Sequence, residues 1–265
     1  MIVEILCVGD ELLYGITLNS NAHWLACQIA AAGGVLRRMT VVGDDLDEIS
    51  TSVQESLARK PDILIITGGL GATYDDMTLE GVAIALGKKV ALDSRAVKML
   101  KKSYAFRKLR YELTDARLKM AKIPEGSTPI QNLIGSAPGV FIQAQKTKIF
   151  CLQGVPQEMK EIFRKHVIPL LKKRIGRFVA LEVSYNVKGV TESMIAPALA
   201  KLVGSHRKDA MYLKTHPQGY YRKKTPQIRI QLISRGSDKK KVKTRLDSIT
   251  KIIELEIAKL GGRIC

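Results

Sequence analysis

Residues 65–78, IITGGLGATYDDMT, decide the fold. Apolar β-formers run into three glycines, and two adjacent aspartates follow within a few residues. The strand ahead, DILIITGG (62–69), is apolar without alternation, as a central strand covered on both faces should be. The segment behind it, TLEGVAIALG (78–87), reads as a short helix ended by Gly87. The same strand-then-helix pattern precedes it twice. IVEILCVG (2–9) leads to SNAHWLACQIAAAGG (20–34), whose Ala22, Leu25, Ala26, Ile29 and Ala30 form one helical stripe between cap candidates Asn19 and Ser20 and the stop at Gly33 and Gly34. VLRRMTVVG (35–43) leads to DLDEISTSVQESLARK (45–60), with Ile49, Val53 and Leu57 on its apolar side. Three such units imply right-handed crossovers and a mostly parallel sheet with helices on both faces, a three-layer α/β/α arrangement.

Beyond the third unit, residues 94–120 are helical but broken by KKSYAFRKLRYEL (101–113), which suggests two helices. IPEGSTPIQNLIGSAPG (123–139) is loop-rich, GVFIQAQKTKIFCLQG (139–154) reads as a hairpin, and PQEMKEIFRKHVIPLLKK (156–173) starts a helix at Pro156. After KKRIGR the pattern becomes β-α-β-β-α, closing on a long helix capped by Ser237 or Asp238, with Ile249, Ile252, Ile253, Leu255, Ile257 and Leu260 as its apolar face. The expected organisation is a first domain over 1–172 and a smaller α+β domain over 177–265.

Charge divides at the same place. Of 43 Lys and Arg and 25 Asp and Glu, giving +18 overall, residues 1–170 hold 21 and 18, whereas residues 171–265 hold 22 and 7. A basic second domain is expected to attract polyanions, non-specific nucleic acid among them, with Lys223, Lys224, Arg229, Lys239, Lys240, Lys241 and Lys243 as charge and Tyr220 and Tyr221 for stacking. No apolar run reaches the ~18 to 20 residues that cross a bilayer. The first residues carry an acid at Glu4 and no basic leader, so no membrane association is expected. The dispersed Cys7, Cys27, Cys151 and Cys265 suit reduced thiols in a cytoplasmic protein.

In a sheet of this kind ligands bind beyond the carboxyl ends of the strands. Three strand ends carry glycine and carboxylate together: Gly9-Asp10-Glu11, Gly43-Asp44-Asp45, and the 67–78 segment. Carboxylates gathered on one rim call for a cation, and hard oxygen ligands suit Mg²⁺ bridging to phosphate. Gly68, Gly69 and Gly71 would let backbone amides approach a phosphate, with Thr67, Thr73 and Thr78 adding hydroxyls. No histidine is placed to act as a base; His23 and His166 fall on helices.

The stretches VGDELLYGITLNSNAHWLACQIAAAGG, VVGDDLDEI, IITGGLGATYDDMTLEGVA, NLIGSAPGVFI and LQGVPQEMKEIF resemble the N-terminal domain of the CinA family, itself related to the molybdopterin-binding domains of MogA, MoaB and MoeA. The second domain is similar to the KH-like middle domain of CinA proteins, although no GXXG loop is evident in it. The chain has no counterpart of the domain that deamidates nicotinamide mononucleotide in longer CinA proteins. The resemblance implies metal-assisted catalysis at Asp44 and Asp76, with Asp10, Asp44, Asp45 and Asp76 holding Mg²⁺ or another divalent metal and no organic cofactor. It implies a phosphate-holding loop at Gly68, Gly69 and Gly71. Asn19, Asn21 and Asn132 are expected on ribose or base, beside the hydroxyls of Thr67 and Thr78. The implied activity is hydrolysis of a nucleotide diphosphate of the ADP-ribose type. The second expectation is a pterin ligand, as in molybdenum cofactor biosynthesis, and a homo-oligomer is expected by analogy. Ala72 and Gln153 depart from the family, which has Pro at both places; Gln153 lies in a loop that lines the related pockets.

Overall fold

The computed structural model describes residues 1–106, 112–205, 211–218 and 225–265. The chain divides into two compact units, Met1–Ile175 and Gly176–Cys265. The first contains, in order, β1 (Ile2–Val8), α1 (Asp10–Leu13), α2 (Ser20–Ala31), β2 (Val35–Val42), α3 (Leu46–Ala58), β3 (Ile63–Thr67), α4 (Thr78–Ala85), β4 (Val90–Leu92), α5 (Ser94–Phe106), α6 (Asp115–Lys119), β5 (Lys122–Pro124), β6 (Thr128–Ile130), β7 (Gly139–Ala144), β8 (Thr147–Leu152), α7 (Pro156–Ile162) and α8 (Ile168–Ile175).

The main sheet has the order β2-β1-β3-β8-β7-β6. Its first four strands are parallel, β7 runs antiparallel to β8, and β6 antiparallel to β7. The chain leaves β1 for one neighbour, β2, and returns on the other side as β3, so the strand order reverses between β1 and β3. That reversal opens a crevice at their carboxyl ends. Alternation along β1 and β3 sorts the core. Val3, Ile5, Cys7, Ile63 and Ile65 pack with α2, α7 and α8, while Leu6, Val8, Leu64 and Ile66 pack with α3 and α4. Each such fully buried aliphatic contributes roughly 1.5–3 kcal/mol. A charged residue sits among them: Glu4 is buried and accepts from the Arg59 guanidinium at 2.9 Å. The pair closes the end of α3 over the sheet.

The hairpin reading of 139–154 holds, with Gln145 at positive φ in its turn, but β8 also pairs with β3 in parallel. The loop-rich 123–139 contains two short strands that the sequence reading left out, β5 and β6. The 94–120 region forms two helices, and residues 107–111 lie outside the described ones. Helices α7 and α8 are joined by a π-turn over Phe163–Val167. Pro169 follows it; a proline removes one amide and its ring crowds the carbonyl four residues back, here that of Lys165, which loosens the helix there.

The second unit contains β9 (Val179–Lys188), α9 (Glu192–Ser205), β10 (Met211–Pro217), β11 (Gln227–Gly236), α10 (Lys239–Lys259) and β12 (Arg263–Ile264). The sheet order is β10-β11-β9-β12, with every pairing antiparallel. Its core joins Val187, Ile228, Ile230 and Leu232 to Leu199, Ile249, Ile253 and Ile257. Asp238 is the cap of α10, accepting from the Lys240 and Lys241 amides. The expected apolar face of α10 needs correction: Ile252 and Leu255 are exposed, and Val242 and Leu246 take their places in the core. A helix that covers one sheet face buries a single stripe, and 252 and 255 fall outside it.

Candidate ligand-binding site

The carboxyl ends of β1, β2, β3 and β8 lie along one edge, since Val8 is level with Val42, and Thr67 with Cys7 and Leu152. Two cavities open there. A small one of about 100 Å³ is lined by Cys7, Asn19, Asn21, Thr67, Gly68 and Gly154. A larger one of about 480 Å³ lies between the glycine loop, with Gly69, Leu70, Gly71 and Asp76, and the tip of β8, with Gln153 and Gly154. The larger volume falls within the range of small-molecule sites.

The glycines divide their labour. Gly68 has φ +109, and a Cβ there would stand 2.0 Å from the Val8 carbonyl oxygen. Gly69 has φ +62, and its Cβ would meet the Thr78 hydroxyl at 2.3 Å. Both are needed for the turn itself. The Gly68 amide donates to the Leu152 carbonyl at 3.1 Å, so Gly68 is not free to hold phosphate as expected. The amides of Gly69, Leu70, Gly71 and Ala72 make no hydrogen bond among the described residues. Across the larger cavity, α7 begins at Val155 without a side-chain cap, and the Gly154, Val155, Gln157 and Glu158 amides are likewise unpaired among the described residues. Open donors from both segments, at Gly69, Leu70 and Gly71 and at Gly154, Val155 and Glu158, therefore border one cavity.

Several expected ligand contacts turn out to be scaffold. Thr67 donates its hydroxyl to the Gln153 carbonyl at 2.8 Å, and buried Thr78 donates to the Gly68 carbonyl at 2.9 Å. Asn19 caps α2 by accepting from the Ala22 amide. Asn132 is buried and fully engaged: its amide donates to the Ala137 carbonyl and to Glu158, and its oxygen accepts from the Ile134 and Gly135 amides. It shapes the 132–137 loop and has no group left for ribose or base. Asn21 donates to the Gly154 carbonyl at 2.7 Å, and its own oxygen is buried without a partner beside the small cavity. Of the three asparagines expected at the ligand, it is the one whose side-chain oxygen has no partner among the described residues.

The carboxylates do not converge as expected. Asp10 and Asp44 do meet: the Asp10 amide donates to Asp44 Oδ2 at 3.0 Å, and the Asp44 amide donates to Asp10 Oδ1 at 3.3 Å. Partial burial raises the Asp44 pKa, and the charges of Asp10, Glu11 and Asp75 raise it further, against the lowering effect of the Asp10 amide. Asp45 is a helix cap, accepting from the Asp47 and Glu48 amides at 2.9 Å each. Asp76 accepts from the amide and hydroxyl of Thr73 and borders the larger cavity, which neither Asp10 nor Asp44 lines. Among the described residues no three His, Cys, Asp or Glu side chains group to hold a metal ion. The four-aspartate metal centre is therefore corrected to one pair, Asp10 and Asp44, each with one oxygen outside the reciprocal bonds. Such a pair fits a hydrated Mg²⁺ that takes its other ligands from a phosphate and water, but not an all-protein cage.

Two lining residues were missed. Glu158, in the first turn of α7, reaches the larger cavity and accepts from Asn132 at 2.6 Å. A Cβ at Gly135 would stand 1.8 Å from its carboxylate, so Gly135 is what admits it. Ser136 borders the same cavity. An acid two residues after a helix-starting Pro was the available sign, and it reads equally well as an ordinary first-turn acid. Gln153 is buried and donates to the Ala137 carbonyl at 2.7 Å, tying the 132–137 loop to the tip of β8.

The family described as "Probable molybdopterin binding domain" matches residues 4–173. The chain belongs to that family. The molybdopterin-binding domain is also similar to the crystal structure of CinA from Thermoplasma acidophilum, a protein described as of unknown function. The two are 38% identical with a TM-score of 0.59, over 64% of this chain and 99% of that one. A protein of Metallosphaera sedula is 37% identical over 98% of this chain and 96% of its own length, and one of Sulfurisphaera tokodaii is 40% identical over 98% and 97%. The CinA resemblance stands. Hydrolysis of ADP-ribose does not: the matched family is one of molybdopterin binding, and the carboxylates that were to activate water at a bridging metal are a reciprocal pair, a helix cap and a loop brace.

Proposed function

We propose that the molybdopterin-binding domain takes a phosphate-bearing pterin in the larger cavity. The observation that carries this is the two sets of unpaired amides on the cavity lining, those of Gly69, Leu70 and Gly71 and those of Gly154, Val155 and Glu158. Amides fixed in a loop and at a helix start offer an anion several donors with no charge to neutralise. A pterin ring presents adjacent N–H donors, and the carboxylates of Asp76 and Glu158 supply acceptors at the same cavity. Asp10 and Asp44, which do not line that cavity, would hold a divalent cation at the neighbouring strand ends.

Isothermal titration of the whole chain with a phosphorylated pterin and its dephosphorylated counterpart tests this. The phosphorylated form is expected to bind about ten-fold tighter or more, as one or two charge-assisted hydrogen bonds require. Equal affinity, or no binding of either, would sink the reading.

The rim also carries exposed apolar side chains. Tyr14, Ile16 and Leu18 are 74%, 77% and 86% exposed in the loop after β1, and Tyr74 is 91% exposed in the glycine loop. Patches of this kind mark association surfaces, and they support a homo-oligomer joined at this rim. Light scattering of Ile16→Asp with Leu18→Asp beside wild type checks it; an unchanged mass counts against it.

A further inference from the structure

The second unit covers one face of its sheet and leaves the other open. Alternation places Leu181, Val183, Tyr185 and Val187 of β9, and Ile228, Ile230 and Leu232 of β11, against the core with α9 and α10. The opposite face is ordered by register into cross-strand rows. Tyr212 is level with Ile233 and Glu182, Lys214 with Gln231 and Ser184, and His216 with Arg229 and Asn186; Gln227, Lys188 and Arg263 follow. Tyr212, Lys214, Arg229, Asn186 and Lys188 are exposed. This surface is organised as well as open. Arg229 donates to the Ser184 hydroxyl at 2.9 Å, and Gln231 donates to Glu182 at 2.7 Å. The one acid on the face is thus hydrogen-bonded to an amide beside it, while Arg229 is steadied with further N–H groups to offer.

We infer that this open face binds single-stranded nucleic acid. Four exposed cations, Lys188, Lys214, Arg229 and Arg263, stand on it with the half-buried Arg235, against the single carboxylate of Glu182. The unit as a whole carries 19 Lys and Arg against seven Asp and Glu. The complementary partner is therefore a polyanion. The exposed ring of Tyr212 and the planar guanidinium of Arg229 are surfaces on which unpaired bases stack, and Asn186 and Gln231 offer amides to base edges. A duplex hides its base faces and cannot use the ring. A flat sheet is also wide enough for a strand to cross successive rows. This separates the face from the lysine-rich start of α10, where Lys239, Lys240, Lys241 and Lys243 supply charge on a helix that has no aromatic residue of its own. Of the residues expected to bind nucleic acid, Arg229 lies on the open face, whereas Tyr220, Tyr221, Lys223 and Lys224 lie outside the described residues.

The test is fluorescence anisotropy of a labelled 20-nucleotide oligouridine and a duplex of equal length, with the full chain. Contacts from four cations predict a fall in affinity of about fifty-fold between 50 and 200 mM salt for a single strand. Tyr212→Ala is expected to weaken single-strand binding roughly ten-fold at fixed salt while leaving the salt slope unchanged. Lys214→Gln should lower the slope by about 0.7, and Lys251→Gln, on the outer side of α10, should change neither quantity. Circular dichroism of each variant confirms the fold. The inference is overturned if the single strand fails to bind at 50 mM salt, if the duplex binds as well, or if Lys251→Gln weakens binding as much as the two face substitutions. The last result would mean diffuse attraction to the whole basic unit.

Discussion

Gly68 and Gly71 are three residues apart in one loop, yet a methyl group at each has different consequences. At Gly68 positive φ coincides with a Cβ position 2.0 Å from the Val8 backbone. Neither strain nor clash can be relieved without separating β1 from β3. Gly68→Ala is expected to cost about 3 kcal/mol or more, or to prevent folding, as read from the urea midpoint. At Gly71 the backbone is ordinary and the nearest atom is the carboxylate of Asp76 at 2.5 Å, the movable end of a side chain. Gly71→Ala should hold stability to within about 1 kcal/mol while weakening pterin titration, because the displaced carboxylate narrows the cavity. Asp44 provides a pH signature. Its pKa is raised by burial and neighbouring acids, so the folded chain holds its proton to higher pH than the unfolded chain does. Stability therefore falls as pH rises from the ordinary carboxylate range through the raised value. Asp44→Asn keeps an acceptor for the Asp10 amide and removes the charge. Melting curves between about pH 4 and pH 7 should show that fall lost. Tm at the upper end should rise on the order of a degree or two.

At the scale of elements, helix starts account for several residues that looked like chemistry. Asp45 serves α3 as Asp238 serves α10, by taking up two first-turn amides. Asp45→Ala is expected to lose about 1 kcal/mol, and Asp45→Asn close to nothing, since asparagine caps as well as aspartate. A metal ligand would fail in both variants, so divalent-cation binding measured beside stability separates the two roles. Helix α7 differs in beginning without a side-chain cap. Its open amides stand where the larger cavity needs donors, and a cap at 155 would have used them.

For the whole molecule, two separate cores set the expected behaviour. Ile65→Ala and Ile230→Ala each empty a fully buried site, one per unit. Each should cost about 2–5 kcal/mol. Hydrogen exchange should show faster opening only in the unit that carries the substitution, because each unit has a core of its own. Acceleration spread equally over both would show one cooperative block. The two proposals divide the same way, with a small anionic ligand for the first unit and a polyanion for the second.

Much of this was legible in the chain itself. Apolar strands at 2–8, interrupted only by Glu4, and at 63–66, with helical stripes between them, required a parallel sheet, because only burial on both faces suits such strands. The change in charge balance marked the second unit for the same local reason: composition needs no partner to be read. The fate of each polar side chain was another matter. Whether Asp45, Asp76, Asn132 or Thr78 faced a ligand or held up a loop depended on which amides lay within about 3 Å of it, and those amides belong to backbone whose path is set by packing. The open amides of the two cavity walls leave no mark on residue identity, and the alternation along Gln227–Gly236 marks two faces without showing that one stays bare. Open amides and bare face exist only once β1, β3 and β8 end at one level and two helices have covered a single side of a four-stranded sheet.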